Sequence, residues 1–236
     1  MRLNLGRGTW GDGGWQLEGM MPRRSREGGV RVPSWIMHLV VAEGVAAGRP
    51  DLDVAEVWLG ALAPDASGDK CRSHLKGPRY GASDGAPFGL GHFLHQFGPQ
   101  LRDPKTAAFY VGYWSHLVAD DLMAQWLYFS GLKEQLAVAG GRRILYGDYD
   151  RLNARLVDRL PARDVVHRRL WAAPQDVARV CPLIEANQLP TVLAGTWAHV
   201  NAPKPARNLQ WLAAALVDGY FERAVVRTLE GLGGSW

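Results

Sequence analysis

Between about Pro104 and Tyr128 the chain reads as one long helix, and this stretch carries a histidine and an aspartate four residues apart, His116 and Asp120. Residues at that spacing share a helix face, so the imidazole and the carboxylate converge on one point. Tyr110, Val111, Trp114, Leu117 and Leu122 flank them, and this apolar surround predicts that the face turns inward. A carboxylate held away from water needs a partner, and a metal ion is one of the few that suits both groups. His38, Asp65 and His74 are further candidate donors upstream.

The rest of the chain is helical in texture from Ser34 onward. Ser34 is a candidate N-cap for apolar residues at helical spacing, with Gly48-Arg49-Pro50 as the stop. Asp53 to Leu62 predicts a second helix ended by Pro64, and Asp65 to Pro87 reads as loop. Helices are expected over Phe88–Leu101, Pro104–Tyr128, from Tyr146-Gly147-Asp148 through Leu160, over Pro174–Asn187 and Leu189–Val200, and from Pro205 or Asn208 to about Gly231. No strand alternation competes. The expectation is an all-α, single-domain multi-helix bundle over residues 32–236.

Residues 1–31 read differently, being rich in Gly and Arg without an amphipathic period or the apolar core of a secretory signal. They are expected to be a disordered arm, or residues upstream of a true start at Val32. In the 236-residue chain 47% of residues are apolar and ten are Trp, ample for a large core, yet no apolar run approaches the ~20 residues of a membrane span. A pI near 9.2 overstates a formal charge of only +4, which is a mild bias toward anionic partners rather than a nucleic-acid footprint. Cys71 and Cys181 form neither a disulfide framework nor a C-x-x-C site, and a reducing compartment follows as the default.

Each donor candidate has a plainer reading. His38 on an apolar helix can be a packed histidine, Asp65 a turn residue after Pro64, His74 a solvated loop residue, and His116/Asp120 a buried hydrogen bond. Together they are nitrogen and oxygen donors without cysteine, a set that suits zinc, with Mn or Fe as substitutes, in catalytic rather than structural sites. His92 and His95, three apart, could chelate a metal or form one turn of a partly exposed helix. Asp121 points about 100° away from Asp120, in a supporting or solvated position. Glu56 and Asp69 are candidates to orient ligand imidazoles, and Arg142-Arg143 could meet a phosphate. Trp35, Trp58, Trp114 and Trp126 are core residues by default.

The order Pro33-Ser34-Trp35-Ile36-Met37-His38, Trp58-Leu59-Gly60-Ala61-Leu62-Ala63-Pro64-Asp65, Lys70-x-x-x-His74 and Gly112-Tyr113-Trp114-Ser115-His116-Leu117-x-x-Asp120 resembles the zinc-dependent phospholipase C family. Within it, the small cytoplasmic bacterial phospholipase C-like members are the nearest in pattern, over about Val32 to Asn153. The resemblance implies a bundle of the phospholipase C and zinc nuclease type. It implies that Asp65, His74, His116 and Asp120 hold one zinc, that Asp120 bridges to a second metal on His38, and that Asp65 also serves as catalytic base. The family's downstream H-x-x-x-E pair is not matched, since His167 is followed four on by Trp171 and His199 by Pro203. One to three zinc ions is therefore the range. Asp148 is a replacement carboxylate, with a helix N-cap after Gly147 as the equal alternative.

The activity implied is phosphoester hydrolysis by metal-activated water, in the cytoplasm, on a phospholipid or a soluble head-group ester. A single-strand-specific zinc nuclease, for which nucleic acid is the partner, and a non-catalytic helical metal-binding protein stand as alternatives.

Overall fold

A computed structural model of the chain describes residues 35–81, 88–129, 141–173, 181–202 and 214–233, and positions 176, 178, 208 and 209. The expected arm over 1–31 and the N-cap at Ser34 lie outside the described residues, as do the side chains of Arg142 and Arg143. The architecture is all-α. In chain order the helices are α1 (Trp35–Gly48), α2 (Val54–Leu62), α3 (Lys70–Ser73), α4 (Leu90–Arg102), α5 (Ala107–Phe129), α6 (Gly141–Leu156), α7 (Arg163–Ala172), α8 (Leu189–Asn201) and α9 (Ala214–Gly233). Among the described residues the sole β pairing is an isolated bridge between Lys76 and Phe88, and no helix is long and apolar enough to cross a membrane.

Local chemistry sets several boundaries. Asp53 caps α2 by accepting from the Glu56 amide at 3.0 Å, and Asp69 caps α3 by accepting from the Arg72 amide at 2.9 Å. Pro64 does not end α2 outright: the chain tightens into a 3-10 turn over Ala63–Ala66. The stretch expected to be loop thus contains two short helical pieces before Gly77. Helix α6 begins at Gly141, ahead of the expected opening at Tyr146-Gly147-Asp148, so Asp148 is interior to the helix and not its N-cap. Helix α7 was not foreseen. The helix expected over Pro174–Asn187 is interrupted, with residues 181–185 in turn and bend before a 3-10 turn at Ala186–Gln188.

Helix α5 is central because it has almost no polar face: from Ala107 to Ala119 nearly every side chain is buried. Phe93 of α4 is fully buried and stacks on Tyr113 and Trp114, with ring centroids 5.3 and 5.9 Å apart. From α9, the Tyr220 hydroxyl donates to the Ala119 carbonyl at 2.9 Å, and the Thr228 carbonyl accepts from the Trp114 indole at 3.1 Å.

The tightest contact is between α2 and α5. A Cβ at Gly60 would collide with the Phe109 carbonyl, and a Cβ at Gly112 would collide with the Val57 carbonyl. The two glycines therefore let the helix backbones touch, which larger residues would forbid. Gly112 lies four residues before His116, so this closest approach falls on the face that carries the donor pair.

Candidate metal centre

Five side chains converge from four elements: His38 from α1, Asp65 from the 3-10 turn after α2, His74 from the C-cap of α3, and His116 with Asp120 from α5. The donor atoms of His38, Asp65 and His116 lie within 4.8 Å of one another, as do those of His74, His116 and Asp120. These five buried or part-buried groups could hold a metal ion. The imidazoles are almost fully enclosed, whereas the Asp120 side chain is 22% exposed, so the centre meets solvent on the Asp120 side.

Each imidazole is aimed by its surroundings. His116 Nδ1 donates to the Ala61 carbonyl at 2.8 Å, which the α2–α5 contact brings within reach. That bond turns Nε2 toward His74 Nε2 at 3.1 Å and Asp120 Oδ2 at 3.6 Å. His74 Nδ1 pairs with the Ser73 hydroxyl at 2.9 Å and likewise presents Nε2, 3.5 Å from Asp120 Oδ2 and 3.7 Å from Asp65 Oδ1. His38 stacks on His116 at 3.7 Å and 16°, and sets its Nε2 3.5 Å from Asp120 Oδ1. Asp120 thus shows one oxygen to His38 and the other to His74 and His116.

These separations are compatible with donors gathered round one ion. Donors on a tetrahedral ion with bonds of about 2.0–2.1 Å sit about 3.3 Å apart, and the observed 3.1–3.7 Å brackets that edge. Both nitrogens of His38 and Oδ2 of Asp65 are buried without a hydrogen-bond partner. Buried polar atoms left so are costly unless something satisfies them. A cation supplies that something for the unprotonated nitrogen of His38 and for the Asp65 carboxylate, and the donor set fits one.

A strained turn fixes His74. The Leu75 amide donates to the Arg72 carbonyl at 3.2 Å and the Lys76 amide to the Cys71 carbonyl at 2.8 Å, the paired bonds of a Schellman helix end. The left-handed position of such a motif favours glycine, yet Leu75 occupies it with φ of 51°. The strain costs about 1–2 kcal/mol. Complete burial of the leucine side chain offsets it. From α5, the Tyr113 hydroxyl clamps the same turn by donating to the Ser73 carbonyl at 2.5 Å.

The electrostatics follow from enclosure and charge. Burial pushes the Asp65 carboxyl up, but Lys70 and the His116, His74 and His38 rings outweigh it and hold it at about 2. Burial likewise raises Asp120, and the charge and hydrogen bond of His116, with His38 and His74, hold it well below the usual carboxylate range. Burial first, then His116, lowers His38 to about 4. Burial, Lys76 and His116 lower His74. Burial also opposes the His116 cation, yet Asp120, through charge and hydrogen bond, raises it overall. Asp120 thus favours a cation at His116, while burial and the 3.7 Å stack on His116 disfavour one at His38.

Other expected residues sit elsewhere. Asp148 is fully buried, accepts from Arg151 Nη1 at 2.7 Å, and belongs to neither donor group. His95 is exposed on α4, while His92 packs edge-on against Tyr80; neither joins a donor group. Glu56 and Asp69 do not orient imidazoles. That role falls to the Ala61 carbonyl and Ser73. Asp121 is buried against Gln125 at 2.8 Å and Arg227 at 3.0 Å, an anchor between α5 and α9. His167 stacks on Trp171 and His199 meets Trp35 edge-on, consistent with their lack of a downstream glutamate.

Two lysines complete the surroundings: Lys70, which the Lys70-x-x-x-His74 spacing includes without giving it a role, and Lys76, to which no sequence signal points. Lys70 Nζ donates to the Asp65 carbonyl oxygen at 2.8 Å and approaches Asp65 Oδ1 at 3.3 Å. Lys76 is partly buried beside the centre, its Nζ 5.1 Å from the Phe88 ring centroid. Compared with protein-family models, curated proteins and solved structures, the chain finds no match in any of the three.

Proposed function

We propose that this protein is a zinc-dependent phosphoester hydrolase of the phospholipase C-like kind. The observation that carries the reading is the double-sided Asp120 carboxylate, one oxygen toward His38 and the other toward His74 and His116. That arrangement suits two neighbouring cations joined by a carboxylate, the layout used for in-line displacement at phosphorus. Three imidazoles and two carboxylates without thiolate favour zinc, with Mn or Fe as substitutes.

Zinc, when bound, lowers the pKa of a coordinated water from ~15.7 toward ~7 and polarises a phosphoryl oxygen. The protein's residues do the positioning. The Ala61 carbonyl holds His116 in one tautomer, and the Ser73 hydroxyl orients the His74 ring, so both turn Nε2 toward the centre. Asp65, held at about 2, remains a carboxylate throughout the working range. With one of its oxygens on the ion, the other would take a hydrogen bond from the attacking water. So low a pKa suits orienting that water better than storing its proton. Enclosure of the imidazoles keeps bulk water off three sides, and the Asp120 side admits substrate.

The test is zinc content per chain by plasma mass spectrometry, followed by hydrolysis of p-nitrophenyl phosphorylcholine and of single-stranded DNA. Bound zinc with turnover of the choline ester, both lost in a His116→Ala/Asp120→Ala double variant, is the expected result. Turnover of DNA alone would replace the reading with a nuclease. Stoichiometric zinc with no turnover of either would make the chain a metal-binding protein without this chemistry, and unchanged zinc in the double variant would overturn the site itself.

A further inference from the structure

We propose that Lys76 is the anion-binding residue of this centre, its ammonium pairing with a phosphate oxygen of the substrate. The inference rests on the hydrolase reading above and deepens it. It starts from a difference between the two lysines. Lys70 is committed to the Asp65 carbonyl and carboxylate. Lys76 has no carboxylate within ion-pair distance among the described residues, although its stem is partly buried. A lysine held partly away from water and left without a counter-ion is costly unless it has a ligand to meet.

The backbone aims it. The left-handed turn at Leu75 reverses the chain directly after His74, and the bridge to Phe88 holds Lys76 in place. The Phe88 ring lies 6.5 Å from the His74 ring between centroids and 5.1 Å from Lys76 Nζ, so imidazole and ammonium border the same aromatic ring.

Charge balance gives the ligand class. Asp65 and Asp120 supply two negative charges, and Lys70 already pairs with Asp65. With neutral imidazoles on the metal, a divalent ion therefore leaves the centre with excess positive charges. An anion must neutralise them, and a phosphate group does so while its oxygens accept hydrogen bonds from an ammonium. Among the described residues Lys76 is the ammonium beside the centre without a carboxylate partner, and it is the side chain assigned that bond.

The test uses the full chain loaded with zinc, inorganic phosphate as the probe, and titration calorimetry as a readout independent of turnover. Lys76→Met and Lys76→Gln are made together, so that a variant that fails to fold leaves a second uncharged side chain for comparison, and Lys76→Arg is the charge-preserving control. Unchanged zinc content, phosphate binding weakened about tenfold or more in the uncharged variants, and recovery in Lys76→Arg are expected. Phosphate binding within twofold of wild type in Lys76→Gln would overturn the proposal. So would loss of zinc there, because Lys76 would then serve the donors rather than the ligand. If wild type hydrolyses p-nitrophenyl phosphorylcholine and Lys76→Gln retains its phosphate affinity, only the role of Lys76 fails. If wild type neither binds phosphate nor hydrolyses the ester, the hydrolase reading fails with it.

Discussion

Gly112→Ala probes whether the centre depends on backbone contact between α2 and α5. The added methyl would overlap the Val57 carbonyl and lie 2.9 Å from the Ala61 amide nitrogen. Both are main chain inside a helix, so no side-chain rotation relieves the clash. The helices must part by roughly 1 Å, since a close-packed interior holds no void to absorb the overlap. Alanine is favoured over glycine in a helix by about 1 kcal/mol. Against that stands overpacking at about 1–3 kcal/mol, plus the loss of a quarter to a half of each dispersion contact across the widened gap. Trp58 and Leu62 of α2 and Phe109 and Tyr113 of α5 are fully buried, so that loss is felt over a wide area. The net expectation is destabilisation by about 2 kcal/mol.

The centre should suffer more than the fold. Moving α2 draws the Ala61 carbonyl out of hydrogen-bond range of His116, now at 2.8 Å, and carries Asp65 away from the other donors. A metal site tolerates displacements of about 0.5 Å, and losing such an orienting partner costs about 10–100-fold in affinity. Urea unfolding followed by circular dichroism measures the first effect, and competition for zinc with a chromophoric chelator the second. Gly44→Ala is the control. Its methyl would meet only the Val225 side chain at 2.6 Å, far from any donor, and should leave zinc affinity unchanged. Wild-type stability and wild-type zinc affinity in Gly112→Ala would refute the reasoning.

Asp120→Asn keeps the shape but removes the charge and one acceptor; it should lose at least one zinc per chain, measured by mass spectrometry, whereas Asp121→Asn should retain zinc. Tyr113→Phe leaves the buried Ser73 carbonyl without its 2.5 Å donor and should cost about 1–3 kcal/mol in urea unfolding. In zinc-stripped protein, His38 titrates at about 4 against 6.5 unfolded, so the unfolded chain binds the extra proton between those values. This residue's contribution is complete above pH 6.5 and is lost as pH falls toward 4, by about 3 kcal/mol. His116, raised instead, acts in the opposite sense. His38→Asn should flatten the dependence of the urea midpoint between pH 4 and 6.5; an equally steep profile in the variant would contradict it.

What the sequence could disclose here depended on how local the cause was. The runs of apolar, helix-compatible residues in α1, α2 and α5 and the Asp53 cap are local, and the helices lie close to where those signals put them. His116 and Asp120 share a helix face by spacing alone. That His38, Asp65 and His74 join them is tertiary, and residue order in a resemblance, not periodicity, suggested it. The misses have one cause. Asp148 reads as a cap after Gly147 until the helix is seen to begin at Gly141, where the intervening residues give no breaker. Glu56 and Asp69 are of the residue type that commonly orients imidazoles, but the Asp69 carboxylate caps α3, and a main-chain carbonyl, invisible to residue type, does the orienting at His116. Leu75 is the sharpest case: a leucine in a left-handed helix end contradicts local preference, and only complete burial of its side chain makes the turn affordable. That turn sets the direction of both His74 and Lys76. The residues that aim this centre are therefore the ones whose own local signals run against, or say nothing about, the conformation they adopt, as expected where a fold accepts strain to place donors.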